Sequence, residues 1–351
     1  MIVAGAGMAG LCAAARAREL GVSPTVLEKG DRPGGSMALS SGVVWRYCSL
    51  EDFRRECPGG DPRLQRLIFE RLDDALDWLE SLGAPLVGAE TANPRTVGRR
   101  FDPRGLTDAL LRAAGNVRAG RAFVAGERSG AEDPLVLASG GFPVRLARDS
   151  GLALRSNPWS EGDGLDFALG RGAATTAGMD EFYGRSMPGP PAEWGEDDFV
   201  PLAQLYGRLA RVFDESGEEI AVDPDDWSEN GLVQEIARRG GLALYVVDRR
   251  DLGRATPYGT ISEVIARART AGATVEERDG RVSVHVVAAV THTIGGLAID
   301  EHTRVLDKGG RPIEGLYAAG VDAGGWSTGG YASGLAAALV LGLTAAEQLA
   351  S

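Results

Sequence analysis

Met1-Ile2-Val3-Ala4-Gly5-Ala6-Gly7-Met8-Ala9-Gly10 opens the chain. A short apolar strand runs straight into G-x-G-x-x-G, and the small residues that follow predict a helix over 11–20, closed by Gly21. Pro24-Thr25-Val26-Leu27 reads as the next apolar strand, and Glu28 ends it. Together they make a dinucleotide-binding βαβ unit with its acidic ribose ligand at the expected distance. Gly5 permits the tight turn, Gly7 lets backbone approach a pyrophosphate, and Gly10 lets the helix pack close to the strand. Ala6, Met8 and Ala9 complete a loop whose N–H groups would receive the pyrophosphate at a helix N-terminus.

Working outward, a Gly-rich loop follows at Gly34-Gly35-Ser36. Leu64, Leu67, Ile68, Leu72, Leu76 and Leu79 recur at helical spacing and predict a helix over 61–82, ended by Gly83. A further helix is expected over 105–114. Pro134-Leu135-Val136-Leu137-Ala138 reads as a buried strand leading into Ser139-Gly140-Gly141-Phe142. Thr260 is a candidate N-cap for a helix over 260–270. The last helix is expected from about 334 to 349. Residues 193–235 are strongly acidic and carry nearly all of the excess negative charge. They read as a separate lobe with an acidic outer face. There is no second G-x-G-x-x-G and therefore no built-in nicotinamide domain.

The chain has 351 residues, with Lys+Arg 37 against Asp+Glu 49 and a net charge of −12. That balance argues against nucleic acid and anionic membrane surfaces as partners. No apolar run approaches the length of a membrane span. Met1 already begins the first strand, which argues against a signal peptide. Cys12, Cys48 and Cys57 lack metal spacing and read as thiols in a reducing compartment, so the expected location is cytoplasmic, with no metal site. The abundance of glycine, 50 residues, suits backbone that must approach a large cofactor.

Longer blocks carry a family likeness. Glu28-Lys29, then Pro33-Gly34-Gly35-Ser36 and Ala38-Leu39-Ser40-Ser41-Gly42-Val43-Val44-Trp45, resemble the "E-K…GG-x-S/T-A-x-S-G-G-x-x-W" stretch of the fumarate reductase and 3-ketosteroid dehydrogenase flavoproteins. Leu137-Ala138-Ser139-Gly140-Gly141-Phe142 is similar to their "LATGGF" and Glu161-Gly162-Asp163-Gly164 to their "TGDG". His292-Thr293-Ile294-Gly295-Gly296 is similar to "HTMGG", and Gly315-Leu316-Tyr317-Ala318-Ala319-Gly320 to "GLYAAG". The blocks keep the family's order over nearly the whole chain. The resemblance implies an α/β fold with a discontinuous Rossmann-like FAD-binding domain, residues 1–190 and 290–351, and a small inserted α+β substrate cap, residues 191–289. It implies non-covalent FAD; the Gly34–Ser41 loop has no His for attachment. It also implies cofactor contacts from Lys29, Gly34 to Ser36, Ser40 to Gly42, Ala138 to Gly140, Asp163, Gly320, Asp322 and Ser333 to Leu335, beside Gly5 to Gly10 and Glu28.

Gly330-Tyr331-Ala332-Ser333-Gly334-Leu335 resembles the "G-Y-x-S-G-L" of the Δ4-(5α)-type 3-ketosteroid dehydrogenases, where the Tyr and Ser bind the substrate ketone oxygen. Tyr331 and Ser333 would then polarise a carbonyl at the start of the last helix, aided by its N–H groups. The alternative is that Tyr331 packs on the flavin ring and Ser333 is an N-cap. His292 would hold a substrate carbonyl or carboxylate, as in fumarate reductases, or is structural. Departures are plain. Fumarate reductases carry a catalytic Arg in a "T-R-D" block of the cap, and here Ser228-Glu229-Asn230 stands in its place. Gly325-Trp326-Ser327-Thr328 also lacks their second Arg, and the Tyr-Tyr-Gly of the Δ4 group is Trp227-Ser228-Glu229-Asn230-Gly231. The acid after "AAG" is displaced by one, to Asp322. Tyr206, Tyr183 and Tyr258 are the tyrosines of the lobe that could supply a proton-transferring base, Tyr206 first. Arg185, Arg249 and Arg254 read as solvated surface, the alternative being that they bind an anionic substrate.

The expected activity is dehydrogenation of a ketone, or reduction of an enone, at the α,β C–C bond of a neutral, steroid- or polyketide-like substrate, with an external electron acceptor or donor. The alternatives are an FAD-binding electron-transfer protein without turnover and a flavin amine or alcohol dehydrogenase on the same fold.

Overall fold

The computed structural model of the chain describes residues 1–89, 91, 93–123 and 134–351. It divides them into two compact units. The first comprises Met1–Pro143, Asn157–Glu181 and His292–Ser351, the second Val144–Ser156 and Phe182–Thr291. The sequence reading began the inserted unit at 191. The structure begins it at Phe182 and adds residues 144–156, because the two-residue strand Ala153–Leu154 pairs with Ala289 and Val290. A pairing that short leaves no periodic signal in the sequence.

The first unit is built on a six-stranded sheet with the order Arg304–Leu306, Pro312–Ala318, Leu135–Leu137, Ile2–Ala4, Thr25–Leu27, Val117–Arg118. Ile2–Ala4 lies at its centre, parallel to both neighbours, with Ala4 opposite Leu27 on one side and Leu137 on the other. Only the edge strand Arg304–Leu306 runs antiparallel. The ends of three central strands therefore converge on one loop cluster, where α/β sheets bind ligands. A smaller antiparallel sheet, Val43–Tyr47, Thr96–Phe101 and Leu86–Gly88, belongs to the same unit.

The helices start where their caps dictate. The first spans Met8–Glu19, three residues earlier than the apolar run suggested, because the Leu11 N–H already reaches the Gly7 carbonyl at 3.0 Å. Asp61 accepts from the Arg63 N–H ahead of Pro62–Ser81, and Asp102 accepts from Gly105 ahead of Pro103–Ala114. In both, proline fills the first helical position, where its missing N–H costs nothing. The final helix spans Gly334–Ala350 and packs on Met8–Glu19. Glycine sets that spacing: a Cβ on Gly342 would stand 2.5 Å from the Ala9 carbonyl oxygen.

The second unit is a mostly antiparallel sheet in which Leu242–Asp248 pairs with the long strand Arg281–Thr293 on one side and Arg211–Asp214 on the other. Helices Asn230–Arg238 and Ile261–Thr270 cover a core that includes Tyr206, Ile236, Tyr245, Val264 and Val284. Thr260 and Glu263 form a reciprocal capping box at the second helix. The acidic stretch is not wholly an outer face, since Glu229 is buried. The main excursion of the chain out of the first unit leaves after Glu181 and returns at His292. Its two ends are joined within the first unit by the Ile294 N–H donating to the Glu181 carbonyl, 3.0 Å. Among the described residues no helix is long and apolar enough to cross a membrane, and no acidic, Cys or His cluster could hold a metal ion.

Gly342→Val should destabilise the protein by about 1–3 kcal/mol, because two packed helices must separate to admit the side chain. The chemical-denaturation midpoint reads this; a midpoint equal to that of the parent would mean the helices are not in limiting contact.

Candidate active site

The Gly-rich loop of the first unit is shaped by what its glycines exclude. A Cβ on Gly5 (φ +109°) would stand 2.2 Å from the Ala138 carbonyl oxygen, and one on Gly10 would stand 1.9 Å from that of Gly5. Gly7 differs: nothing lies within 4 Å of its Cβ position. The loop is thus closed by protein at two glycines and open at the third, a cradle at the N-terminus of Met8–Glu19 that fits a dinucleotide pyrophosphate.

Glu28 is buried and splits its carboxylate between two backbone donors, Ala6 N–H and Gly30 N–H, both at 2.7 Å. It fixes the cradle to the end of Thr25–Leu27. Each oxygen retains a lone pair for a ribose hydroxyl. Lys29 forms ion pairs with Glu161 and Asp163. Gly34 (φ +110°) donates to the Ala6 carbonyl, Gly35 lies against Gly7, and Ser36 Oγ accepts from the Asn157 amide at 2.9 Å. Ser40 Oγ donates to the Met37 carbonyl and accepts from Gly42 N–H, closing a turn. The Ser41 carbonyl accepts from Arg100, and Gly42 abuts the Phe101 carbonyl. Ala138 continues the central strand by donating to Ala4. Ser139, through N–H and hydroxyl, and Gly141 N–H all donate to Asp322. Burial holds the Asp322 carboxyl above its ordinary range, and these donors oppose the shift. Gly140 (φ +92°) abuts Ser160, and Gly320 abuts Ala9.

The second cluster stands at the start of the final helix. Ser333 Oγ accepts from the Ala336 N–H at 3.3 Å, so the hydroxyl is an N-cap. Capping uses an oxygen lone pair and leaves the hydroxyl proton to donate elsewhere. The Tyr331 ring is edge-on to Trp45 at 5.4 Å, and its carbonyl accepts from the Tyr47 hydroxyl. His292 lies beside the helix start: a Cβ on Gly334 would be 2.9 Å from its Nε2, and Trp326 packs 6.3 Å from its ring. The structure thus brings His292, Ser333 and Gly334 together. Tyr47 and Trp326 join the cluster as well, and only Trp326, in Gly325-Trp326-Ser327-Thr328, lies in a motif that the sequence sets apart. Leu335 follows in the first turn of the helix.

Tyr206 is not part of this cluster. It belongs to the core of the second unit, fully buried, with its hydroxyl donating to Gln204 and its ring edge-on to Tyr245. Burial pushes its pKa well up, which corrects the expectation of an accessible proton-transferring tyrosine. Arg185 is likewise not solvated surface. It is buried in the second unit, donates to the Ser228 carbonyl and lies over the Tyr183 ring. Arg249 and Arg254 are exposed and pair with Glu277 and Asp251.

His292 Nδ1 is 3.1 Å from the Thr293 carbonyl, which can only accept. The proton of the neutral ring therefore sits on Nδ1. Burial lowers the pKa to about 4, with the Thr293 bond opposing. The unfolded chain protonates this group near 6.5, so the contribution of His292 to stability is lost as pH falls from about 6.5 to 4. Imidazole ¹⁵N shifts should report the Nδ1–H tautomer at pH 5.5 and titrate only near pH 4. An imidazolium at pH 6 would contradict the geometry.

A family model described as an FAD binding domain matches residues 1–125 and 95–337. A fumarate reductase (cytochrome) of Shewanella frigidimarina is 23% identical over 420 residues, covering 93% of this chain and 72% of that protein. Among solved structures, a 3-ketosteroid Δ4-(5α)-dehydrogenase from Rhodococcus jostii in complex with 4-androstene-3,17-dione matches with TM-score 0.72 and 18% identity, over 100% of this chain and 96% of the other. A 3-ketosteroid Δ1-dehydrogenase from Sterolibacterium denitrificans matches with TM-score 0.71 and 16% identity, over 99% and 98%. A flavocytochrome c3 fumarate reductase matches with TM-score 0.70 and 21% identity, over 99% and 77%. The chain belongs to the FAD binding domain family, and its cofactor is FAD.

Proposed function

We propose that this FAD-dependent oxidoreductase removes hydrogen across the α,β C–C bond of a neutral ketone, or adds it across the α,β C=C bond of the corresponding enone. The observation that carries the reading is the start of the final helix, where the Ser333 hydroxyl and the first N–H groups, two residues after Tyr331, stand beside an uncharged His292. FAD is held by the Gly5–Gly10 cradle, Glu28 and the Gly34–Ser36 loop, and when bound supplies hydride acceptance or donation. Tyr331 and Ser333 donate to the ketone oxygen. Their hydrogen bonds strengthen as the oxygen gains charge, which acidifies the α C–H. The helix N-terminus adds positive potential at the same place.

Three observations support a neutral substrate. Trp45, Tyr47, Trp326 and Tyr331 give the cluster an aromatic, weakly polar character. No arginine occurs between Gly324 and Leu335, and His292 is held neutral, so neither supplies a cation for a carboxylate. The net charge of −12 repels a dianion. The neighbour from Rhodococcus jostii was solved with a diketone steroid, which makes 3-ketosteroids the first class to try.

Anaerobic titration with steroid and polyketide-like ketones should bleach the flavin absorbance, while succinate should not. Succinate oxidation or fumarate reduction at comparable rates would overturn the substrate class, and bleaching by amines or alcohols alone would overturn the reaction. Tyr331→Phe should slow flavin reduction by about 10²–10³ with FAD content unchanged, and Ser333→Ala by less, since backbone donors remain. Full activity in Tyr331→Phe would leave that ring a packing group. Acid precipitation should release all the FAD into the supernatant; flavin retained in the pellet would show a covalent link.

A further inference from the structure

We infer that Trp159 and Arg32 form the seat for the adenine base of FAD. The starting point is Glu28, the acid at the end of the second strand of a dinucleotide-binding unit, where the adenosine ribose is read. One of its carboxylate oxygens is bound to Gly30 N–H at 2.7 Å. Trp159 lies directly on that glycine: a Cβ on Gly30 would stand 2.7 Å from its Cε3. Only glycine at 30 lets an indole rest against this backbone. The Arg32 guanidinium lies over the indole, 5.1 Å from its centroid. A flat aromatic plane therefore rests on the residue two positions beyond the ribose-reading carboxylate, with a flat cation from the fourth position over it.

The segment that presents Trp159 is fixed to the cradle by contacts that do not involve the ring. Asn157 donates to Ser36, in the loop whose Gly35 lies against Gly7, and accepts from the Trp159 N–H at 3.1 Å. Lys29 bridges to Glu161 and Asp163. These tethers hold the two segments together without the half-buried indole, and Arg32, half-exposed, also pairs with Asp31 at 3.4 Å. Indole and guanidinium planes are the common stacking partners of a purine.

The test is FAD binding to apoprotein, followed by quenching of flavin fluorescence, with ADP as a competitor that carries the adenosine without the flavin. Trp159→Ala should weaken FAD about 5- to 150-fold, the range for loss of one base–aromatic stack. The ADP inhibition constant should rise by the same factor. Trp159→Phe should retain most of the affinity, and Arg32→Ala should lie between the two. Unchanged FAD affinity in both alanine variants would overturn the assignment. So would a loss of FAD affinity without a matching loss for ADP, which would place the effect at the flavin end or in the fold. If Trp159→Ala does not fold, Arg32→Ala decides: parallel weakening of FAD and ADP supports the seat, and no change overturns it. The readout is cofactor affinity, so it is independent of which substrate is oxidised.

Discussion

The first unit depends on backbone meeting backbone. Gly10 brings the first helix onto the Gly5 carbonyl, and Gly342 brings the final helix onto Ala9. A side chain at either position would meet a carbonyl oxygen at a distance no Cβ adopts, so these contacts have no softer version. They also account for the long reach of the fold. The final helix packs on Met8–Glu19 at that spacing, and its start brings Gly334, with Ser333 and Tyr331 just before it, more than 300 residues from the cradle in sequence, into the same unit. The place of the candidate site thus depends on two helices held at a spacing that glycine sets.

The α/β architecture and the FAD cofactor were legible because each has a local signature. A strand, three spaced glycines and an acid at the end of the next strand sit within 28 residues, and helix caps such as Asp61-Pro62 and Asp102-Pro103 announce themselves through their own neighbours. What stayed hidden depends on which way a residue faces or on what it meets far along the chain. Tyr206 and Arg185 carry polar groups that suggest an exposed or reactive place, yet both turn into the second unit, where Gln204 accepts from the Tyr206 hydroxyl and the Ser228 carbonyl accepts from Arg185. The contact of Trp159 with Gly30 joins positions 129 apart and depends on a missing side chain, which no periodicity records.

Buried acids take on a common task in both units. Glu28 and Asp322 in the first unit and Glu229 in the second each accept backbone N–H groups from a different segment, so a single carboxylate ties two loops. The cost differs with surroundings. Glu229, held at φ +54° and fully buried, has its pKa raised to about 7 despite its two donors and the nearby Arg185 and Arg208. Folding of the second unit therefore bears part of the cost of charging this acid as pH rises from about 4.5 to 7. The same carboxylate that accepts from Gly207 and Arg208 is thus the one that burial most opposes charging.

The hydrogen bond between Ile294 and Glu181 has a consequence for how this chain can change in length. It pins the exit and the return of the 182–291 excursion beside each other inside the first unit, so whatever runs between them contributes little to closing it. Adding residues there costs only a slowly growing loop entropy. A residue added between Gly5 and Gly10 would instead force a side chain or a carbonyl into space already filled. Tolerance of added length differs between the excursion and the cradle glycines Gly5 and Gly10. The chain can therefore change in length between Glu181 and His292 while the bond that closes the excursion keeps its place in the first unit.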